Sequence, residues 1–158
     1  MSAAVLDRID LQLLALLQRE GRHTNAELAE KVHLSASACL RRVQRLEREG
    51  VIIGYRAEVD PERLGLGLQA FVRVQLKSHD AARVEAFARQ VNRWPEVVAC
   101  HALTGDMDYL LHVVVSGLEH FSHFLLDHLL AQGDVGDVNS SFVLRTVKQA
   151  RALGLPSA

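Results

Sequence analysis

Arg41, Arg42, Arg45 and Arg48 lie close together between Ser35 and Arg48, where Glu47 is the one acidic residue, so four cations against one anion leave a local charge of +3. A guanidinium is a planar fork of donors that meets a phosphate, or the major-groove edge of guanine, with two parallel hydrogen bonds. All four cations are Arg and none is Lys, which suits that chemistry. On a helical wheel Leu40, Val43 and Leu46 point inward, Ser37, Arg41, Arg45 and Arg48 fall opposite, and Arg42 flanks them. Thr24, Asn25, Ser35 and Ser37 could add phosphate contacts from the starts of two helices. Capping those helices is the competing task for their side chains, and the first expectation for the serines.

A second cluster is Thr104-Gly105-Asp106-Met107-Asp108, a polar link between two apolar runs. Its backbone N–H groups can take a carboxylate and an aspartate can take an ammonium. A hairpin turn that needs Gly105 and Asp106 for its backbone shape accounts for the same residues. Other tempting groups do not converge. His120 and His123 share a helical face, but His128, beyond Asp127, points elsewhere, so neither a metal nor any other cofactor is expected. Gly65-Leu66-Gly67 precedes a strand and lacks the third glycine of a dinucleotide fingerprint. No Gly-x-Ser-x-Gly, phosphate loop or paired carboxylates is evident, and no enzymatic activity is expected. An RNA-binding sheet would want several aromatics, and only Phe71 and Tyr109 are at hand.

The elements that must carry these residues can be read from periodicity. Leu6, Ile9, Leu13, Leu16 and Leu17 form one face of a helix over about Asp7 to Glu20, stopped by Gly21. Thr24-Asn25-Ala26-Glu27 is a capping box that opens a short second helix to about Val32. A tight turn, Val32-His33-Leu34-Ser35, leads to a third helix that ends near Glu49 at Gly50. This is a helix-turn-helix candidate, whose last helix would enter a DNA major groove. From Val51 the character changes. Val51 to Glu58 reads as extended, and strands are expected at Ala70 to Leu76, Val97 to Leu103, Tyr109 to Val115 and Val135 to Val147. Helices are expected over Val84 to Val91 and Leu118 to Leu130. The order β-α-β-β-α-β is the ferredoxin-like signature. The expected organisation is α+β, with a winged-helix-like module over residues 1–50, a hinge over 51–66 rich in glycine, and a ferredoxin-like module over 67–158.

Composition restrains these readings. The chain has 158 residues with a net charge of −1, and apolar residues make up 49%. Residues 1–64 hold ten basic and ten acidic side chains and residues 65–158 hold eight and nine, so the basic helix is invisible to the global balance. Tight nucleic-acid binding would then have to come from several recognition helices acting together. No apolar run approaches the roughly 20 residues of a membrane span. Asp7, Arg8 and Asp10 interrupt the first apolar residues, so no secretory signal is expected. Cys39 and Cys100 are too few for a disulfide framework and fit a reducing cytoplasm, with Cys39 packed in the core.

Taken in order, Leu6-Asp7-Arg8-Ile9-Asp10, Gly21-Arg22, Glu27-Leu28-Ala29, Leu34-Ser35, Cys39-Leu40-Arg41-Arg42-Val43 and Leu46-Glu47-Arg48-Glu49-Gly50-Val51-Ile52 resemble the N-terminal half of the Lrp/AsnC family. These are leucine-responsive, or feast/famine, transcription regulators of bacteria and archaea. Cys100-His101, Thr104-Gly105-Asp106-Met107-Asp108-Tyr109 and Lys148 resemble its second half. The resemblance implies a DNA-binding regulator whose second module dimerises through its sheet, assembles as far as an octamer, and binds a small effector, usually an amino acid. It implies backbone contacts from Gly105, Asp106 and Met107, and Asp108 holding the ammonium or bracing the loop. Thr104, His101, Ser140 and Ser141 are the further effector-site positions. Three departures stand out: His33 replaces a turn glycine, Ala36 and Ala38 replace prolines, and Met107 takes a position often aromatic.

Overall fold

The computed structural model describes residues 5–149 and 152–156. These fall into two compact units: one runs up to Glu58 and includes the segment from Val147, and the other is Val59–Thr146. The first unit holds α1 (Arg8–Arg19), α2 (Asn25–Lys31) and α3 (Ala36–Arg48).

Each of the three helices starts on a side-chain cap. Asp7 opens α1: its carboxylate accepts from the Asp10 N–H at 2.9 Å, and the Asp10 carboxylate accepts from the Asp7 N–H at 3.0 Å. This reciprocal box satisfies two of the free donors at the helix start. Thr24 and Glu27 build the same box on α2, as their spacing predicts, and Ser35 caps α3 by accepting from the Ala38 N–H at 3.3 Å. The last two helices also end alike. Leu34 N–H donates to the Ala29 carbonyl and His33 N–H to Glu30, while Val51 N–H donates to Leu46 and Gly50 N–H to Glu47. Both are Schellman closures, which need a left-handed residue at the turn. Gly50 takes it at φ 70° and His33 at φ 55°, so the histidine does occupy a glycine-like conformation. Leu13, Leu28, Ala29, Val32 and Cys39 form the small core between the helices. Leu40, expected inside, is instead 44% exposed. The inward arc of α3 is centred on Cys39 and Leu46, seven residues apart, which turns Leu40 outward by roughly 120° at about 100° per residue.

No strand follows α3 before Leu68 among the described residues: Val51 and Ile52 bend away with their N–H groups on the Leu46 carbonyl, and residues 53–58 have no regular structure, so the expected extended segment is not found. The second unit contains β1 (Leu68–Leu76), α4 (Ala81–Val91), β2 (Val97–Ala102), β3 (Tyr109–Val115), α5 (Leu118–His123) and β4 (Val135–Phe142). The strands lie in the order β2-β3-β1-β4, every neighbouring pair antiparallel, which is the ferredoxin-like arrangement. Ala70, Val72, Val74 and Leu76 alternate with exposed Phe71, Arg73 and Gln75, so one face of β1 is buried and the other open. The buried face meets Phe87 and Val91 of α4 together with Trp94, Phe121, Phe124 and Leu129. α5 was expected to run unbroken to Leu130; it passes instead into π-helical turns over Phe124–Leu129, closed by Leu130 N–H donating five residues back to Leu125 at 2.8 Å. That wider winding puts Phe124 and Leu129, five apart, both at zero exposure. Gly136 marks a bulge: Gln75 pairs with Asp137 but Leu76 with Val135, leaving the glycine unmatched.

β4 stops at Phe142 rather than Val147. The segment from Val147 belongs with the helices, where Gln18 clasps Leu153: the Leu153 N–H donates to Gln18 Oε1 at 2.6 Å and Gln18 Nε2 donates back at 3.4 Å. Among the described residues no helix is long and apolar enough to cross a membrane.

Candidate nucleic-acid interface and ligand site

The four arginines of α3 divide into two pairs. Arg41 and Arg48 are exposed. Arg42 reaches back to α1, donating to Asp7 at 2.6 Å and to Asp10 at 2.9 Å, and Arg45 donates to the other oxygen of Asp10 at 2.5 Å. The expected opposition of Arg45 to the helical core is thereby corrected. With the wheel centred between Cys39 and Leu46, Arg42 sits roughly 50° from the inward direction and Arg45 about 110°, so Arg42 edges the interior and Arg45 reaches Asp10 along the flank of the helix. Asp10 is 1% exposed, and its carboxylate is saturated by the two guanidinium groups and the Asp7 N–H. These hydrogen bonds raise the guanidinium pKa of both arginines. The Asp10 N–H, and then Arg42, hold the Asp7 carboxyl below the usual range.

The neighbouring candidates are drawn into the scaffold. Thr24 Oγ1 and Glu27 satisfy each other, Asn25 Nδ2 donates to the Ala36 carbonyl at 2.7 Å, and the Ser35 and Ser37 hydroxyls lie 3.3 Å apart. Asn25 thus ties the start of α2 to the start of α3, which fixes the angle between the two helices of the motif. At the other end of α3, the Tyr55 hydroxyl donates to Glu47 at 2.9 Å, and partial burial followed by that carboxylate pushes the phenol pKa up to about 12.

In the second unit, the loop between β2 and β3 turns through Gly105 at φ 112°, a conformation glycine adopts freely. Asp108 anchors it. Its backbone N–H donates to Val74 at 2.9 Å and its carbonyl accepts from Leu103 at 2.8 Å. Its carboxylate accepts from the Leu76 N–H at 2.7 Å and meets His79 Nε2 at 2.8 Å. The Leu76 N–H, then burial opposing it and His79 assisting, leave the Asp108 pKa lowered. Of the two roles implied for Asp108, bracing the loop is the one its contacts serve. Thr104, Gly105 and Asp106 are exposed, with Met107 half-buried beside them.

His101 lies on β2, next to this loop, whereas Ser140 and Ser141 lie on β4. These are the two opposite edges of the sheet, separated by β3 and β1, roughly 14 Å at about 4.8 Å per strand. The expected effector residues are therefore not gathered into one pocket within a protomer. A cavity of about 340 Å³ does sit at the base of the loop, lined by Val91, Trp94, Val97, Cys100, Ala102 and Tyr109 among others. His79 is the functional candidate that sequence reasoning missed; its contact with Asp108 spans 29 residues and has no local signature. The histidines of α5 have other partners. His120 meets Ser116 and Glu96 at 3.2 and 3.4 Å, and His123 meets Asp127 at 3.0 Å.

Comparison with known proteins places both units. Residues 69–153 match the family model of the Lrp/AsnC ligand binding domain, and residues 6–53 match winged helix-turn-helix DNA-binding. The leucine-responsive regulatory protein of Rhizobium meliloti is 43% identical over 92% of this chain and 93% of its own length. The Bkd operon transcriptional regulator of Pseudomonas aeruginosa is 41% identical over 91% and 94%. Among solved structures, a transcriptional regulator of Neisseria meningitidis in complex with L-Met is 48% identical, covers 95% of this chain and 97% of its own, and superimposes with a TM-score of 0.91. An AsnC family regulator from Agrobacterium tumefaciens is 34% identical with a TM-score of 0.87, over 96% of this chain and 97% of its own. The chain belongs to the Lrp/AsnC family: it is a transcriptional regulator, not an enzyme, with a helix-turn-helix DNA-binding unit and a ligand-binding unit.

Proposed function

We propose that this regulator works in the cytoplasm as a homo-oligomer whose hold on DNA responds to a free amino acid. The observation that carries the effector class is the likeness, at 48% identity, to a regulator solved with L-Met. The proposed DNA face is the outer side of α3, with Arg41 and Arg48 as cation donors and Ser37 near the helix start; Thr24, Asn25 and Ser35 position it. The proposed effector site is the loop Thr104 to Asp108 with His101, where backbone N–H groups take the carboxylate of the ligand. Ser140 and Ser141, on the opposite sheet edge, complete the site from a second copy. A site shared in this way supports the coupling, because a ligand lodged between copies changes which recognition helices reach DNA together.

Isothermal calorimetry with a panel of L-amino acids, methionine and leucine included, tests the reading on the full chain and on Asp108→Ala. The expected result is heat from one ligand or a few in the wild type, none in the variant, and unchanged duplex binding by both. Equal binding by both proteins, or no binding by either, overturns the proposed site. Light scattering with the ligand that binds reports whether assembly changes with it.

A further inference from the structure

Accepting α3 as the DNA face, we propose that Asp7 and Asp10 are positioning residues that withdraw Arg42 and Arg45 from DNA, setting the pitch of α3 and leaving Arg41 and Arg48 as its phosphate-binding cations. The inference starts from the buried carboxylate of Asp10. A charge at 1% exposure persists only if its lone pairs are filled, and here two guanidinium groups and one backbone N–H fill them. Arg42 bridges both aspartates, so two anions on α1 balance two cations on α3. The contacts span 32 to 35 residues of sequence and join the first helix of the unit to the third. Breaking the Asp10 contact would cost an unpaired buried charge, so α3 is held at one rotation about its axis. That rotation is what turns Arg41 and Arg48 outward.

The two aspartates differ in depth, and this separates their roles. Asp10 is interior and sets the geometry. The Asp7 side chain is half exposed and lines one shallow groove together with Ala38, Arg41, Arg42 and Arg45. It therefore places a negative charge beside the cation that would face a phosphate, and it competes with that phosphate for Arg42. The +3 of α3 shrinks accordingly. Subtracting the two committed arginines leaves two cations, with Glu47 hydrogen-bonded to Tyr55.

The salt dependence of binding measures which arginines meet phosphates, because each phosphate neutralised adds about 0.9 to the slope of log affinity against log salt. The full-length protein is titrated by fluorescence anisotropy into a labelled duplex of mixed sequence across a range of NaCl. Arg41→Gln and Arg48→Gln are each expected to lower the slope by about 0.9 per engaged protomer. The paired variant Asp10→Leu with Arg45→Met, which replaces the buried ion contact by apolar packing, is expected to leave the slope unchanged. Asp7→Asn retains a helix cap, leaves Arg42 held by Asp10 alone and removes the anion that competes with phosphate in the groove, so affinity is expected to rise about fivefold with a steeper slope. Loss of slope in the Asp10/Arg45 pair equal to that of Arg41→Gln, or weaker binding by Asp7→Asn, overturns the inference. If the pair does not fold, as read by circular dichroism, Asp7→Asn decides alone. An unchanged slope in both Arg41→Gln and Arg48→Gln overturns the DNA face itself, a separate failure.

Discussion

Asp108 shows how much one side chain decides in the ligand-binding unit. Its backbone and carboxylate together make four contacts that close the β2–β3 loop onto β1 and His79. Because its folded pKa lies below the ordinary carboxylate value, the stabilisation is complete above pH 4 or so and is lost as pH falls through the folded pKa. Asp108→Asn is therefore expected to cost about 1–2 kcal/mol at neutral pH, with the gap from the wild type closing in acid; urea melts at both ends of the range check this. Residue types and spacing made the polar loop legible, but not the use of Asp108 as a brace, since neither Leu76 nor His79 is a neighbour in sequence. The same holds on α1. Asp7 and Asp10 stand three apart before an apolar stripe, a readable capping signal, yet their capture of Arg42 and Arg45 depends on how two distant helices pack.

At the scale of elements, the turn between α2 and α3 and the winding after α5 are the informative cases. His33 sits at φ 55°, where a Cβ is strained and glycine is not. His33→Gly is expected to stabilise the helical unit by up to about 1 kcal/mol, read by thermal or urea unfolding. The turn was legible because capping residues and an apolar stripe bracket it. The π-helical passage was not, because little more than one turn of wider winding leaves the apolar pattern of Phe121, Phe124, Leu125 and Leu129 looking like an ordinary helix. Its energetic weight is nonetheless large. Phe124 is fully buried and stacks edge-on against Trp94 at 5.6 Å between ring centres. Phe124→Ala is expected to destabilise the unit by about 3–5 kcal/mol, enough to populate an open form detectable by hydrogen exchange.

The ligand-binding unit presents an open sheet face, where Phe71 stacks on His112 at 4.8 Å and is 41% exposed. Leu110 and Val114 flank them on the same face of β3. Dimerisation through the sheet, which the family resemblance implies, makes Phe71→Glu expected to weaken association at least tenfold, seen as smaller particles by light scattering. His112 adds a pH dependence. Burial lowers its pKa, so the neutral ring costs nothing above the usual value near 6.5, and protonation opposes burial increasingly below it. The ligand-binding unit is expected to lose stability as pH falls below about 6.5, read by urea melts at pH 7.5 and 5.5, and His112→Gln to abolish that difference. The fold order of this half was legible from apolar strand runs and helical periodicity together; the separation of His101 from Ser140 and Ser141 was not, because strand order across a sheet is not strand order along a chain.

The two cysteines fall one in each unit, Cys39 at zero exposure on the inward side of α3 and Cys100 exposed on β2. Burial raises both thiol pKa values, yet only Cys100 is open to a reagent. A thiol-specific dye should consequently modify one site per chain promptly and the second at the rate at which the helical unit opens. Cys39 thus carries a built-in clock for the helical half, and adding duplex DNA should slow it without touching the prompt reaction at Cys100.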